Sequence, residues 1–272
     1  MIELRKASGR FRTRLDWLDS RHSFSFGHHF DSARMGHGPL RVVNEDWISP
    51  RSGFPTHGHR DMEILSWVLS GTLTHRDSEG NRAEIRPGRV QLMHAGRGIS
   101  HSELNLDQSE PVHLLQIWIE PERKGAPPGH AFVDVALEPG RPSVLASYGA
   151  SEGGLAIRNE VTVSALRLRP GEGFDGRWDA GRSGWVQVAR GAGRSGSFPL
   201  SAGDALALDR VEALNLEGGG ETGIELLLFD LPGRSRVARV AGSAGDTDRS
   251  GIARQTFKTE REEGGHGSAG RG

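Results

Sequence analysis

Short apolar runs separated by Gly, Pro and Asp clusters make up most of the chain. LRVVNEDWI (40–48) reads as the first clear strand. MEILSWVLSG (62–71) is nearly continuous in its apolar residues and ends in a glycine, as a buried strand entering a turn does. GTLTHRDSEGNRAEI (71–85) reads as strand, turn over 77–81, strand. RPGRVQLMHAG (86–96) places a Pro-Gly turn before another strand, and HLLQIWIEP (113–121) is again apolar and β-rich. This alternation of strands and turns predicts an all-β chain built as a sandwich or barrel.

The second half repeats the order in fainter form. VTVSALRLRPGEGF (161–174) is a strand with a turn. GWVQVARGAG (184–193) parallels SWVLSGTL, PLSAGDALALD (199–209) parallels EIRPGRVQLMH, and IELLLFDLP (224–232) parallels HLLQIWIEP. A repeat of this length predicts two domains rather than a solenoid, at 1–130 and 131–234, with the Pro- and Gly-rich stretch near 121–150 as the link. From 235 to 272 the chain turns to Arg, Gly, Ser and Glu without apolar periodicity, the composition of a disordered tail.

Composition narrows the function classes. Lys and Arg total 34 against 35 Asp and Glu in 272 residues, so no general electrostatic pull toward nucleic acid is expected. The absence of cysteine excludes disulfides, iron–sulfur clusters and thiolate zinc sites. MIELRKASGRFRTRLDW has no apolar signal region and no long apolar run follows it, so a cytoplasmic protein without a membrane span is expected. Of 12 histidines, 11 lie before residue 131, which assigns any histidine chemistry to the first half.

Two stretches concentrate that chemistry. FPTHGHRDMEIL (54–65) places His57 and His59 two apart, followed by Glu63, and GISHSELN (98–105) places His101 and Glu103 two apart. Side chains at i and i+2 of a strand share a face, so each pair points one way. If the two strands are neighbours inside a barrel, three imidazoles and one carboxylate meet. That donor set suits a first-row divalent metal and leaves positions open to water, substrate or oxygen. A lone His-x-His carries little weight; two such pairs on separate strands carry more. Glu63 is open to three readings: a further ligand, an acceptor for a ligand histidine, or an ion-pair partner of Arg60. His75, His94 and His113 read as turn, loop or ordinary strand positions, and His28 and His29 would face opposite sides of a strand. Counting from the turn glycines, the second half carries Arg177, Asp179 and Leu216 where the first carries its histidines, so it is expected to be metal-free and filled by ordinary core.

FPTHGHRDMEILSWVLSGTLTHRDSEGN followed by GRVQLMHAGRGISHSELN resembles the pirin family of the cupin superfamily, with AGRGISHSE its most specific part. LRKASGRFRTRLDWLDSRHSFSFGHHFD and LLLFDLP extend the likeness over about residues 2–233, and it is to the bacterial pirins with quercetinase activity. The resemblance implies a bicupin, two antiparallel jelly-roll β-barrels packed face to face, with metal in the N-terminal barrel and none in the C-terminal one. It implies His57, His59, His101 and Glu103 as ligands and sets Glu63 beside the ion rather than on it. The implied cofactor is a divalent transition metal, iron(II) first, with manganese, cobalt, nickel, copper and zinc equally accommodated by such donors. The implied activity is a dioxygenase that cleaves flavonols such as quercetin with O2, with Glu103 taking the substrate proton. The alternative is a non-enzymatic, iron-binding redox sensor that acts through a protein partner; a roomy pocket at the metal separates the first from the second. Two departures stand out: Gly58 replaces the usual proline between the histidines, and His94 replaces a small hydroxyl residue before Ala95-Gly96.

Overall fold

The computed structural model describes residues 1–233; the tail expected from 235 onward lies outside them. Among the described residues there is no α-helix, only a 3-10 turn at Ala7–Gly9. No helix is long and apolar enough to cross a membrane. The strands build two antiparallel β-barrels packed on each other.

The first half forms two sheets. A seven-stranded sheet runs in the order Gly129–Asp134, Arg89–His94, Glu63–Ser70, Val112–Ile119, Leu40–Ile48, Leu18–His22, Phe11–Arg14. A four-stranded sheet runs Ser52–His59, Ile99–Asn105, Leu73–Asp77, Arg82–Ile85. Burial explains the sequence patterns. Glu63–Ser70 lies mid-sheet with both faces covered and is buried up to its last residue, whereas Ile99–Asn105 alternates strictly between buried and half-buried.

The second half forms a nine-stranded sheet around the long strands Ser183–Ser195 and Ala213–Leu231. Its strand pairs are antiparallel except Ser143–Tyr148 with Leu155–Ile157, which run parallel. The N-terminal strand Ile2–Arg5 crosses over to pair with Ala205–Asp209 in this sheet. The stretch read as a link carries Gly129–Asp134 and Ser143–Tyr148; their apolar runs are short and flanked by Pro and Gly, which hid them.

One apolar cluster holds the two barrels together. Phe24, Leu40, Trp67 and Ile117 of the first half pack with Leu145, Val163, Trp185 and Phe229 of the second. The Phe24 and Trp185 rings are 5.0 Å apart, and the Trp67 indole N–H donates to Glu225 at 3.1 Å. A separate cluster of Leu166, Trp178, Val188, Leu206, Leu216 and Leu226 fills the second barrel. Leu216, counted as the counterpart of His101, is buried in it, whereas Arg177 and Asp179, counted as the counterparts of His57 and His59, are exposed.

Candidate metal centre

The strands carrying the two histidine stretches are neighbours. Ile99–Asn105 pairs antiparallel with Ser52–His59, and His101 lies directly across from His57. The register then slips, so that Glu103 faces Phe54. Pro55 and Thr56 on the facing strand stand opposite the single residue Ser102. Proline has no ladder N–H to lose, so a bulge there costs little. Gly53 permits the close approach behind Glu103: its φ is +152°, and a Cβ there would lie 2.2 Å from the Glu103 carbonyl oxygen. Gly58 has an ordinary backbone, and a Cβ there would meet the Ser100 hydroxyl at 3.7 Å and the Ile99 carbonyl oxygen at 3.9 Å, both ordinary contacts.

His57, His59 and His101 converge, with one ring nitrogen of each within 4.8 Å of the others. The His57 and His101 Nε2 atoms are 3.1 Å apart. His57 Nδ1–H donates to the Pro55 carbonyl at 2.8 Å, which leaves the lone pair on Nε2 aimed at the convergence. His59 packs edge-on against Trp118. Burial, then the neighbouring imidazoles, push His59 down to about 3 and His101 down to about 2. His59 and His101 are therefore neutral donors near pH 7. Converging lone pairs at this spacing repel one another unless a cation sits between them, so the donor set fits a divalent transition metal.

Glu103 is buried and falls in an overlapping group with His101 and His75. Its carboxylate accepts from Gln116 Nε2 at 2.6 Å and Ser66 Oγ at 3.3 Å, and the Trp118 indole N–H orients Gln116 at 3.3 Å. Among the described residues Glu63 is in neither group of converging donors. Its Oε2 is 2.6 Å from His94 Nδ1 and accepts the Arg158 backbone N–H at 3.1 Å, tying the first half to the second. His94, the unusual residue before Ala95, is its partner. His113 lies 2.9 Å from Glu45 and stacks on Trp47. His28 and His29 do not face apart: Gly27 takes a positive φ, the chain turns, and the two rings lie 4.1 Å apart.

A cavity of about 460 Å³ opens onto His57 and Glu103. Leu18, Phe26 and Phe54 give it apolar walls; Ser20, His22, Asn44 and Asp46 give it polar ones. Asp46 is fully buried and receives a hydrogen bond from Ser20 Oγ. Burial, reinforced by Glu103 and Glu45, pushes its carboxyl up to about 7 against the opposing Ser20 bond. A carboxyl poised near neutrality can take or return a proton. His22 is buried beside it, 2.9 Å from both Thr13 Oγ1 and Asn44 Oδ1, and its burial pushes it down to about 4. Neither residue was singled out in the sequence. The signal was present: Asn44 and Asp46 are polar residues on the same face of a strand as Val42 and Ile48, where alternation demands apolar ones.

Two family models match the chain. The one described as Pirin covers residues 3–119, and the one described as Quercetinase C-terminal cupin domain covers 144–231. A curated relative, Quercetin 2,3-dioxygenase of Escherichia coli (strain K12), is 40% identical over 232 residues, spanning 85% of this chain and 99% of its own length. The crystal structure of YhhW from Escherichia coli matches at a TM-score of 0.82 and 38% identity, covering 86% of this chain and 99% of that one. That of bacterial pirin YhhW in complex with nickel(II), also from Escherichia coli, matches at 0.81 and 38% identity, covering 86% and 100%.

Proposed function

The chain belongs to the pirin family, and on that premise we propose that it is a metal-dependent dioxygenase that cleaves flavonols of the quercetin type. The observation that carries this reading is the cavity of about 460 Å³ opening onto His57 and Glu103. It is the roomy pocket expected of an enzyme rather than of a sensor that signals through its surface. His57, His59, His101 and Glu103 would hold one divalent ion, iron(II) in the first instance. The nickel complex of the related Escherichia coli pirin supports divalent occupancy. The first barrel, to about residue 130, would carry the metal and the second none.

When bound, the ion supplies Lewis acidity for an enol oxygen and a redox-capable neighbour for dioxygen. The protein does the rest. Leu18, Phe26 and Phe54 hold the flat rings and exclude water. Ser20, His22 and Asn44 offer partners to phenol hydroxyls. Glu103 takes the proton of the 3-hydroxyl, and Asp46, in the same cavity, is placed to take it onward. The flavonol supplies all the electrons: flavonol and O2 give a depside and carbon monoxide, so no external reductant enters.

The test is oxygen consumption with quercetin by apo-protein reloaded with each candidate metal, with carbon monoxide assayed in parallel. Consumption matched by carbon monoxide release with a redox-capable metal is expected. No consumption with any metal, in protein that binds metal, would refute the flavonol reading.

A further inference from the structure

The metal-side histidine pairs are not the only i, i+2 set on this sheet. Leu73–Asp77 pairs with the other edge of Ile99–Asn105, in a register that sets His101 across from Asp77 and Glu103 across from His75. His75 and Asp77 therefore share the face that carries His101 and Glu103. His75 is wholly buried, and so is the Asp77 side chain. Burying a histidine and an aspartate against a third polar ring is costly unless the groups pair in a definite order.

The order can be read from the contacts. Asp77 divides its two oxygens. Oδ1 accepts the backbone N–H groups of Glu79 and Asn81, each at 3.0 Å, and closes the turn. Oδ2 lies 3.1 Å from His75 Nε2 and also accepts from Asn81 Nδ2 at 3.0 Å. Burial pushes Asp77 up, but the hydrogen bonds from His75 and Asn81 outweigh it and hold the carboxyl below its usual range. Asp77 is therefore an acceptor only, and a His75 ring with one proton must carry it on Nε2. Its Nδ1 lone pair then faces two groups: Gln91 Nε2 at 3.5 Å and His101 Nδ1 at 3.4 Å. Gln91 is oriented to donate because its carbonyl lies 3.0 Å from His130 Nε2, and the His130 ring stacks on His75 at 4.7 Å. His101 must likewise present a proton on Nδ1. The consequence is a bare Nε2 on the other side of His101, pointing at His57 Nε2 3.1 Å away.

We propose that His75 and Asp77 are positioning residues for the metal centre: they fix the His101 tautomer that turns an unprotonated Nε2 toward the ion. Asp77 sets His75, His75 sets His101, and the same bonds lock the orientation of the ring. The proposal rests on the reading of His101 as a ligand and not on the flavonol reading. It gives His75, which sequence alone leaves as an ordinary strand residue, a defined task.

Asp77→Asn separates this role from that of closing the turn. The asparagine carbonyl can keep all three Oδ1 bonds, including the one from Asn81 Nδ2 at 3.1 Å, but its amide replaces Oδ2 with a donor. His75 must then move its proton to Nδ1, where it opposes the proton on His101 Nδ1. Nickel(II) is the probe, with affinity measured by competition against a chromophoric chelator. The nitrogen shifts of the histidine rings, read by NMR in the metal-free protein, report the tautomers. The expected results are a fall in nickel affinity of about 10- to 100-fold, a His101 proton that moves from Nδ1 in the wild type to Nε2 in the variant, and a melting temperature that changes little. His75→Gln, whose carbonyl can still accept from His101, should keep more affinity than His75→Leu, which guards against a variant that fails to fold. Wild-type nickel affinity in Asp77→Asn, or a His101 proton on Nε2 in the wild-type protein, would overturn the proposal. A wild-type protein that binds no nickel but shows the expected tautomers would refute the metal centre and leave the relay standing.

Discussion

His22 offers a quantitative test of how the cavity wall is built. It is 1% exposed, lies between Thr13 and Asn44, and stacks on Phe26. Burial opposes its protonation more than the contact with Asn44 favours it, and its pKa falls from 6.5 to about 4. The sign follows from proton counting. Below 6.5 the unfolded chain gains a proton that the folded chain refuses until about pH 4, so stability is lost as pH falls through that window. Between pH 7 and pH 5 one such histidine costs about 2 kcal/mol, at 1.36 kcal/mol per pH unit. In a domain of this size that is about 4–8 °C in melting temperature. His22→Gln keeps an amide for the same neighbours and cannot take the proton. The assay is thermal unfolding of metal-free wild type and variant at both pH values. The other buried histidines are common to both proteins and cancel in the difference. The wild type should lose about 2 kcal/mol more than the variant on acidification; parallel losses would refute the reasoning.

Gly53→Ala drives a Cβ into the Glu103 carbonyl and should part the two metal-bearing strands. The expected outcome is a loss of about 2 kcal/mol or more together with reduced metal content, read by denaturant unfolding and elemental analysis. Arg10→Ala removes the buried guanidinium from Glu45 and leaves that carboxylate with only His113. Unfolding in urea should show a cost of about 3–5 kcal/mol at pH 7. Burial pushes Glu45 up, but His113 and Arg10 together hold it below 4.5. Its contribution is therefore complete above the ordinary glutamate range and fades as pH falls through the lower folded value, so the gap between wild type and Arg10→Ala should narrow in acid.

The parts of the fold that local pattern controls were legible in the chain. Leu40–Ile48 carries the strand bounds read from the sequence, and Glu63–Ser70 differs from its apolar run only at the ends. The His57/His59 and His101/Glu103 pairs were visible because a strand puts i and i+2 on one face, and their strands do pair. What escaped depends on register between distant segments. His75 and Asp77 have the same i, i+2 spacing, yet only the pairing with Ile99–Asn105 brings them to His101. Ile2–Arg5 joins Ala205–Asp209, a contact that no local pattern encodes. Glu63 reads as a candidate ligand by its place after two histidines, but its strand carries it to His94 and the Arg158 backbone instead. Asn44 and Asp46 could have been found, since two polar residues on the face that also carries Leu40, Val42 and Ile48 mark a site or a buried network.

The measurement that bears most directly on the central claim is the metal content of purified protein loaded with excess nickel(II) and then desalted, for wild type and for His101→Ala with its fold checked by circular dichroism. The account predicts a single tightly held ion per chain in the wild type and essentially none in His101→Ala. A full complement of metal in the folded variant would contradict it.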